Sequence, residues 1–258
     1  MSSSGAASSI YESPKLLGEY LLLHYGGEAE VRHAGLPVDP VITDTPFPVR
    51  CVRELLDQAR LPSKAVALEI GCSVGGSAFE LARSCSRVEA SDYSESFISA
   101  AQTLQREGRL AGMRTLEGEI TTSFVAHVPA EISRDRVSFS VADATRLPRD
   151  IGSFDVVLAA NLICRLSDPA GFLGRTSTLL KSGGQLLLTT PFTWLEEYTP
   201  RKRWIGGIDS QMRSEIELTR LLECNFQLHR RRDLPFLIRE HERKYQIGIA
   251  LGTCWIRR

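Results

Sequence analysis

Short apolar runs alternate with amphipathic stretches along most of the chain, and this alternation predicts a layered α/β architecture. Strand-like runs fall at 66–70, 87–91, 137–142, 154–160 and 185–190. Helical periodicity fills the intervals at 76–84, 94–107 and 168–180. Strand and helix in repetition call for parallel pairing with crossover helices. A weak helix at 213–223 leads into two more strand-like stretches, 226–239 and 245–256, which read as a terminal hairpin. The expected fold is a three-layer α/β sandwich around a mostly parallel seven-stranded sheet.

Ahead of the first strand, residues 10–25 read as a helix, with Ser13 as N-cap and Pro14 at the first helical position. Leu17, Tyr20, Leu21 and His24 fall on one stripe, and Gly26-Gly27 stops it. A proline-rich loop at 35–48 precedes a second helix, 49–59. Residues 10–60 are thus expected to form a helical cap and 61–258 the sheet-bearing core, together one domain from 10 to 258 without repeat or linker. The small polar residues 1–9 read as a flexible tail. The segment 108–136 is a long irregular link punctuated by Gly108, Gly112, Gly118 and Pro129, and links of that length are functional or hold extra structure.

The strand at 66–70 ends in Glu69-Ile70 and runs into the turn Gly71-Cys-Ser-Val-Gly-Gly76, which opens the next helix. Strand, glycine turn and helix bring backbone N–H groups against a nucleotide-like ligand. Asp92 closes the second strand about twenty residues on, where an acid can accept from two ribose hydroxyls. Asp143 ends the third such run. A dinucleotide site favours Gly-x-Gly-x-x-Gly, and here Ser73 stands at the middle glycine. S-adenosylmethionine carries no phosphate and needs no such close approach. The series Glu69-x-Gly71-x-Ser73-x-Gly75, Asp92 and Asp143-Ala144 resembles that of class I methyltransferases. The stretches Ser153–Asn161 and Lys181–Pro191 fit it too.

Lys and Arg number 31 against 31 Asp and Glu, so the 258-residue chain has no formal net charge and no field to gather nucleic acid. A small or zwitterionic substrate is favoured. The clusters Arg201-Lys-Arg203 and Arg230-Arg-Arg232 read as solvated faces. The six cysteines show no C-x-x-C and read as reduced core fillers, no apolar leader opens the chain, and no run approaches a membrane span. A cytoplasmic protein off the membrane is expected. No His/Cys/Asp cluster has metal-ligand spacing, so no metal is expected.

Five stretches resemble one family closely: Tyr11–Gly26, Phe47–Val52, Ala160–Leu166, Thr190–Pro200 and Leu234–Gln246. It is the 5-thiohistidine (4-mercaptohistidine) N-methyltransferase of ovothiol biosynthesis, a Rossmann-like class I enzyme often fused behind an iron-dependent sulfoxide synthase. The resemblance implies methyl transfer from S-adenosylmethionine to the imidazole nitrogen nearest the side-chain carbon (N-π), giving ovothiol A. It also implies functional coupling to a separate sulfoxide synthase and a C–S lyase, because this chain has no synthase portion. Two alternatives stay open: another imidazole or thiol acceptor, and a non-catalytic cofactor-binding partner of a synthase.

Cofactor contacts are expected at Tyr11, Arg50, Glu69, Gly71, Cys72, Gly75, Asp92, Tyr93, Asp143, Ala144 and Asn161, with an interhelix salt bridge as the equal alternative for Arg50. Asn161 sits just past the fourth strand, where its amide either faces the reacting centre or braces a loop. Phe192, Trp194 and Tyr198 follow the fifth strand as walls for an imidazole or as core. Arg239 is expected to fork a substrate carboxylate or to join a surface ion pair. Asn161, His241 and Tyr245 are the candidate catalytic residues, the last two in the turn of the terminal hairpin, with His241 as the proton acceptor and a solvated His as the plainer reading. His24 and His33 read as structural or solvated.

Overall fold

The computed structural model describes residues 11–258, so the expected tail lies outside the described residues, as does Ile10. The chain opens with α1 (Pro14–Tyr25), where the Ser13 hydroxyl accepts from the Leu16 N–H at 3.2 Å. Two single-turn helices follow, α2 (Glu28–Val31) and α3 (Val41–Asp44), and then α4 (Phe47–Leu55). The helix expected at 49–59 therefore starts two residues earlier, with Pro48 in its first turn. It breaks at Leu56 before a short 3-10 turn, Gln58–Arg60.

The core alternates as the pattern requires. It runs β1 (Val66–Ile70), α5 (Gly76–Leu81), β2 (Arg87–Asp92) and α6 (Glu95–Glu107). The 108–136 segment is not irregular. It holds β3 (Arg109–Glu117) and β4 (Ile120–His127), an antiparallel pair outside the main sheet. Gly118 makes the turn at φ +53°. The pair is exposed or half-buried along most of both strands, with Gly112, Phe124 and Ala126 as its buried members, so its hydrophobic period is faint in sequence. Next come β5 (Val137–Val141), β6 (Phe154–Ala160), α7 (Pro169–Leu179), β7 (Leu180–Thr190), α8 (Ser214–Glu223), β8 (Phe226–His241) and β9 (Lys244–Arg257).

The seven-stranded sheet has the order β5-β2-β1-β6-β7-β9-β8, and β9 alone runs antiparallel to its neighbours. Order reverses at β1, so β2 and β6 flank the strand that carries the glycine turn. That crevice, at the carboxyl ends, is where an open α/β sheet binds ligands. Side chains alternate across the sheet. Ala67, Val156, Leu158 and Leu187 pack with Leu21, Val52, Leu55, Phe79, Phe97 and Leu104 from α1, α4, α5 and α6. On the other face Leu68, Ile70, Val157, Leu186 and Leu188 meet Phe172, Leu218 and Leu222 from α7 and α8. The three layers are those expected, and cap helices α1 and α4 share the first core with the sheet.

Glu19 in α1 is buried with no hydrogen-bond partner among the described residues, and loss of solvent pushes its carboxyl up to about 7. Lys15 and Lys244 oppose that rise and Glu240 adds to it. An acid raised in the fold costs stability as pH climbs from its unfolded pKa toward the folded one. Stability is therefore expected to fall between about pH 4.5 and 7, then level off. Glu19→Gln removes that penalty. At pH 8 the variant is expected to be more stable by roughly 1–2 kcal/mol, with solvent and the two lysines screening the rest. Urea titrations at pH 5 and 8 check this, and an equal effect at both pH values contradicts it.

Candidate active site

Among the described residues three other than glycine hold a left-handed backbone, and all three stand at carboxyl ends of neighbouring strands: Ser73 (φ +50°) after β1, Asn161 (φ +51°) after β6 and Phe192 (φ +53°) after β7. Such backbone costs about 1–2 kcal/mol per residue and persists where surroundings enforce it. At Ser73 the enforcement is Asp92, whose Oδ2 accepts the Ser73 N–H at 2.8 Å while Oδ1 accepts the Ser94 N–H at 2.9 Å. Burial lifts the Asp92 carboxyl above its usual range, and these N–H donors oppose the rise.

The glycine turn is fixed from above by α1. The Tyr25 hydroxyl donates to the Val74 carbonyl at 2.7 Å, and the Gly76 N–H donates to His24 Nδ1 at 3.0 Å. Complete burial drops His24 to about 3, which keeps its ring neutral and able to accept. His24 is thus the structural histidine of the two readings. Gly75 holds φ +86°, and a Cβ there would lie 2.6 Å from the Phe139 ring, so this position needs glycine on both counts.

S-adenosylmethionine fits what this turn leaves unsatisfied. Glu69 Oε2 and Ser73 Oγ are buried without partners among the described residues. Glu69 takes one hydrogen bond from the Ser77 hydroxyl, and burial pushes its carboxyl up to about 8. A buried acid with one idle oxygen suits an ammonium group. Asp92 spends one lone pair per oxygen on backbone N–H groups and keeps the others for two hydroxyls. Asp143 takes the Thr145 N–H and hydroxyl on Oδ1 at 2.8 and 2.6 Å, while Oδ2 lies 3.7 Å from the Arg146 guanidinium. Next to Asp92, Tyr93 presents an exposed ring. The Cys72 and Gly71 N–H groups both donate to the Ser91 carbonyl, which ties the turn to β2. A cavity of about 280 Å³ adjoins Ala144 and Thr145 and runs beside the start of α7.

The segment before α1 closes over this end of the sheet. Glu12 accepts from the Glu95 and Ser96 N–H groups, and the Ser94 and Ser96 hydroxyls donate to the Tyr11 carbonyl. The Tyr11 ring then packs edge-on against Tyr20 and Phe97. Its hydroxyl interacts with Tyr198 and Arg165. Arg165 lies in a 3-10 turn (Ile163–Arg165) four residues past Asn161, and its guanidinium stacks 4.6 Å from the Tyr198 ring centroid. Tyr20 feels the charges of both Arg165 and Asp92, which places the cluster beside the cofactor acids. Burial raises the hydroxyls of Tyr11, Tyr20 and Tyr198 to about 12, so all three stay protonated donors at neutral pH.

The structure thus brings Tyr11, Glu69, Gly71, Cys72, Gly75, Asp92, Asn161 and Tyr198 to one end of the sheet. Asn161 Oδ1 accepts from the Thr189 hydroxyl at 2.9 Å, while its Nδ2 has no acceptor among the described residues. Phe192 takes up its strained turn with its N–H on the Thr190 hydroxyl.

Five other expected site residues are engaged elsewhere. Arg50 is buried between α4 and β8, paired with Glu54 at 3.1 Å and donating to the Pro235 carbonyl at 2.9 Å, which makes it an inter-element brace. Trp194 belongs to the second core, with its indole N–H on the Ser214 hydroxyl at 3.0 Å, so it is no exposed wall. Arg239 is buried and donates to the Glu30 carbonyl. His241 and Tyr245 lie at the β8–β9 turn, where Nδ1 accepts from the Arg243 N–H and the hydroxyl donates to the Glu242 carbonyl. That turn packs on β3 through the Glu242 N–H and the Leu116 carbonyl. None of these contacts reaches Asn161 or Asp92.

Sequence reasoning passed over Arg165, Tyr20 and Tyr25. Arg165 had a readable signal: a single cation just past an apolar strand and its turn, inside one of the five resembling stretches.

A family model described as "Methyltransferase domain" matches residues 68–188. No curated protein matches the sequence. Among solved structures, the [4+2]-cyclase SpnF is 16% identical with a TM-score of 0.60, covering 100% of this chain and 97% of its own. Magnesium protoporphyrin IX methyltransferase from Synechocystis PCC 6803, with bound SAM, is 15% identical with a TM-score of 0.56, covering 100% and 98%. The N-methyltransferase NodS from Bradyrhizobium japonicum WM9, in complex with S-adenosyl-L-homocysteine, is 16% identical with a TM-score of 0.51, covering 93% and 98%. At these identities the likeness is one of fold. With the sheet order, the glycine turn and the matched family model together, residues 68–188 constitute an S-adenosylmethionine-dependent class I methyltransferase domain.

Proposed function

We propose that the protein N-methylates the imidazole of 5-thiohistidine at N-π to give ovothiol A. The observation that carries this reading is convergence. Tyr11, Arg165 and Tyr198 come from three of the five resembling stretches, and they meet in one cluster at the strand ends. The other two stretches also meet: Arg50 donates to the Pro235 carbonyl, and the Phe47 and Phe236 rings stand 5.1 Å apart. Stretches so distant in sequence that interlock in space are support for a shared architecture beyond the common cofactor site. Fold alone does not choose the acceptor, since a cyclase shares this fold with methyltransferases.

Bound S-adenosylmethionine supplies an electrophilic methyl group on a sulfonium. The chain's task is then to hold the acceptor ring in line and keep water out. Tyr11 and Tyr20 cover the strand ends, and Asn161 Nδ2 is a free donor beside them. The acid and the imidazole nearest the cluster are engaged, Asp92 by the Ser73 and Ser94 N–H groups and the neutral His24 beside Tyr20 by the Gly76 N–H, so in this reading the ring proton leaves to solvent rather than to His241. Incubation with S-adenosylmethionine and a panel of imidazoles and thiols, with product fragmentation by mass spectrometry, tests the assignment. Methylation of 5-thiohistidine well above the rest is expected. Faster turnover of another acceptor, plain histidine included, overturns it.

A further inference from the structure

The geometry points to Arg165 as the receptor for the α-carboxylate of an amino-acid acceptor, with the Tyr11 and Tyr198 hydroxyls completing the clamp. This inference rests on the acceptor reading above and names the residue that selects an amino acid over the corresponding amine.

The first ground is an unbalanced charge. Among the described residues no carboxylate pairs with Arg165, and its titratable neighbours are Cys164, Tyr11 and Tyr198, all neutral at pH 7. Arg53 and Arg83 meet Glu80, Arg203 meets Asp168 and Arg231 meets Glu215, whereas Arg165, like Arg134 and Arg239, makes its hydrogen bonds to backbone carbonyls. Arg165 is half-buried beside protonated tyrosines, so among the described residues its positive charge has no carboxylate in direct contact. A partly desolvated cation of this kind is satisfied by an incoming anion.

The second ground is pre-organisation. One nitrogen, Nη1, makes both backbone contacts, to the Cys164 carbonyl at 3.5 Å and the Thr193 carbonyl at 3.3 Å. The face of the group lies over Tyr198 at 4.6 Å. Stacking fixes the guanidinium plane, and a planar fork held this way matches a carboxylate through two parallel N–H bonds. Two neutral phenols are further donors to the same oxygens. The third ground is position. Arg165 follows the strained Asn161 at the end of β6, and Tyr198 follows Phe192 after β7. Glu69 and Asp92 sit on β1 and β2 instead. The cofactor acids and this cation thus occupy adjacent strand ends of one crevice.

An α-carboxylate is carried by both the acceptor and the cofactor, and the experiment separates them. Wild type, R165M and R165K are assayed in full-length protein with 5-thiohistidine and with its decarboxylated amine. S-adenosylhomocysteine affinity and melting temperature are measured in parallel. Wild type is expected to prefer the amino acid by at least about a hundredfold in kcat/KM, mostly through KM. R165M is expected to lose that preference, its kcat/KM falling far more with the amino acid than with the amine, while its affinity for S-adenosylhomocysteine stays within about twofold. R165K, which keeps charge without the fork, is expected to recover part of it. Equal losses on both acceptors, or a fall in S-adenosylhomocysteine affinity of tenfold or more, overturn the inference, the latter by giving Arg165 to the cofactor. A wild type that methylates 5-thiohistidine without preferring the acid overturns the inference alone. No turnover of 5-thiohistidine overturns both readings.

Discussion

Asp92→Ala is expected to weaken S-adenosylhomocysteine binding by roughly 2–4 kcal/mol, or about thirtyfold to a thousandfold. Two losses combine. If Asp92 holds the ribose as expected, the variant removes the acceptors for two hydroxyls, each bond being charge-assisted. It also frees the N–H groups of Ser73 and Ser94, which Asp92 now holds at 2.8 and 2.9 Å. Ser73 then has no partner to keep its φ at +50°, and the turn that carries the idle Glu69 and Ser73 oxygens loosens. Asp92→Asn keeps the shape and one oxygen, and is expected to fall between. Asp143→Ala is the comparison. That carboxylate is more exposed and already bonded twice to Thr145, so its loss is expected to be smaller. Isothermal calorimetry reads all three, and an unchanged affinity in Asp92→Ala refutes the ribose assignment.

The sheet and its crossover helices were legible because each strand is a short apolar run bounded by turn residues, and each helix places Phe79, Phe97 or Phe172 on one face. The β3–β4 pair was not. Thr121, Thr122 and Ser123 give it little hydrophobic period, and its burial comes from α1 lying across Gly112 and Phe124. The acids at the strand ends were legible for a related reason: a carboxylate that ends a buried strand has few structural uses. Charged residues on long hairpins carry no such constraint. Arg239 and Arg50 looked like ligand hands, yet backbone carbonyls from distant elements, Glu30 and Pro235, claim them. Pairings of this kind depend on how the cap docks, and spacing along the chain does not encode them. Arg165 is the converse case, a cation whose lack of an acid is visible only once its neighbours are in place.

Methyl transfer to 5-thiohistidine is expected to give N-π product alone, and this outcome asks the most of the site. The substrate's sulfur is a softer and better nucleophile than its ring nitrogen, so a loose pocket would return mixtures or mainly the S-methyl product. Hundredfold discrimination needs about 2.7 kcal/mol between the two transition states. Orientation can supply that amount without a special base. In the proposed reading, a carboxylate held at Arg165 and a ring bounded by Tyr11, Tyr20 and Tyr198 would fix which edge of the imidazole faces the methyl group. The strained backbone at Asn161 holds its free Nδ2 donor at the same strand end. Variants that slacken the hold therefore lose selectivity before they lose all rate. Tyr198→Phe and R165M are expected to release S-methyl product at a tenth or more of the total, while wild type yields none above about one part in a hundred. Tandem mass spectrometry with proton NMR of the purified products distinguishes the isomers. Predominant S-methylation by the wild type overturns this account, as does unchanged selectivity in both variants.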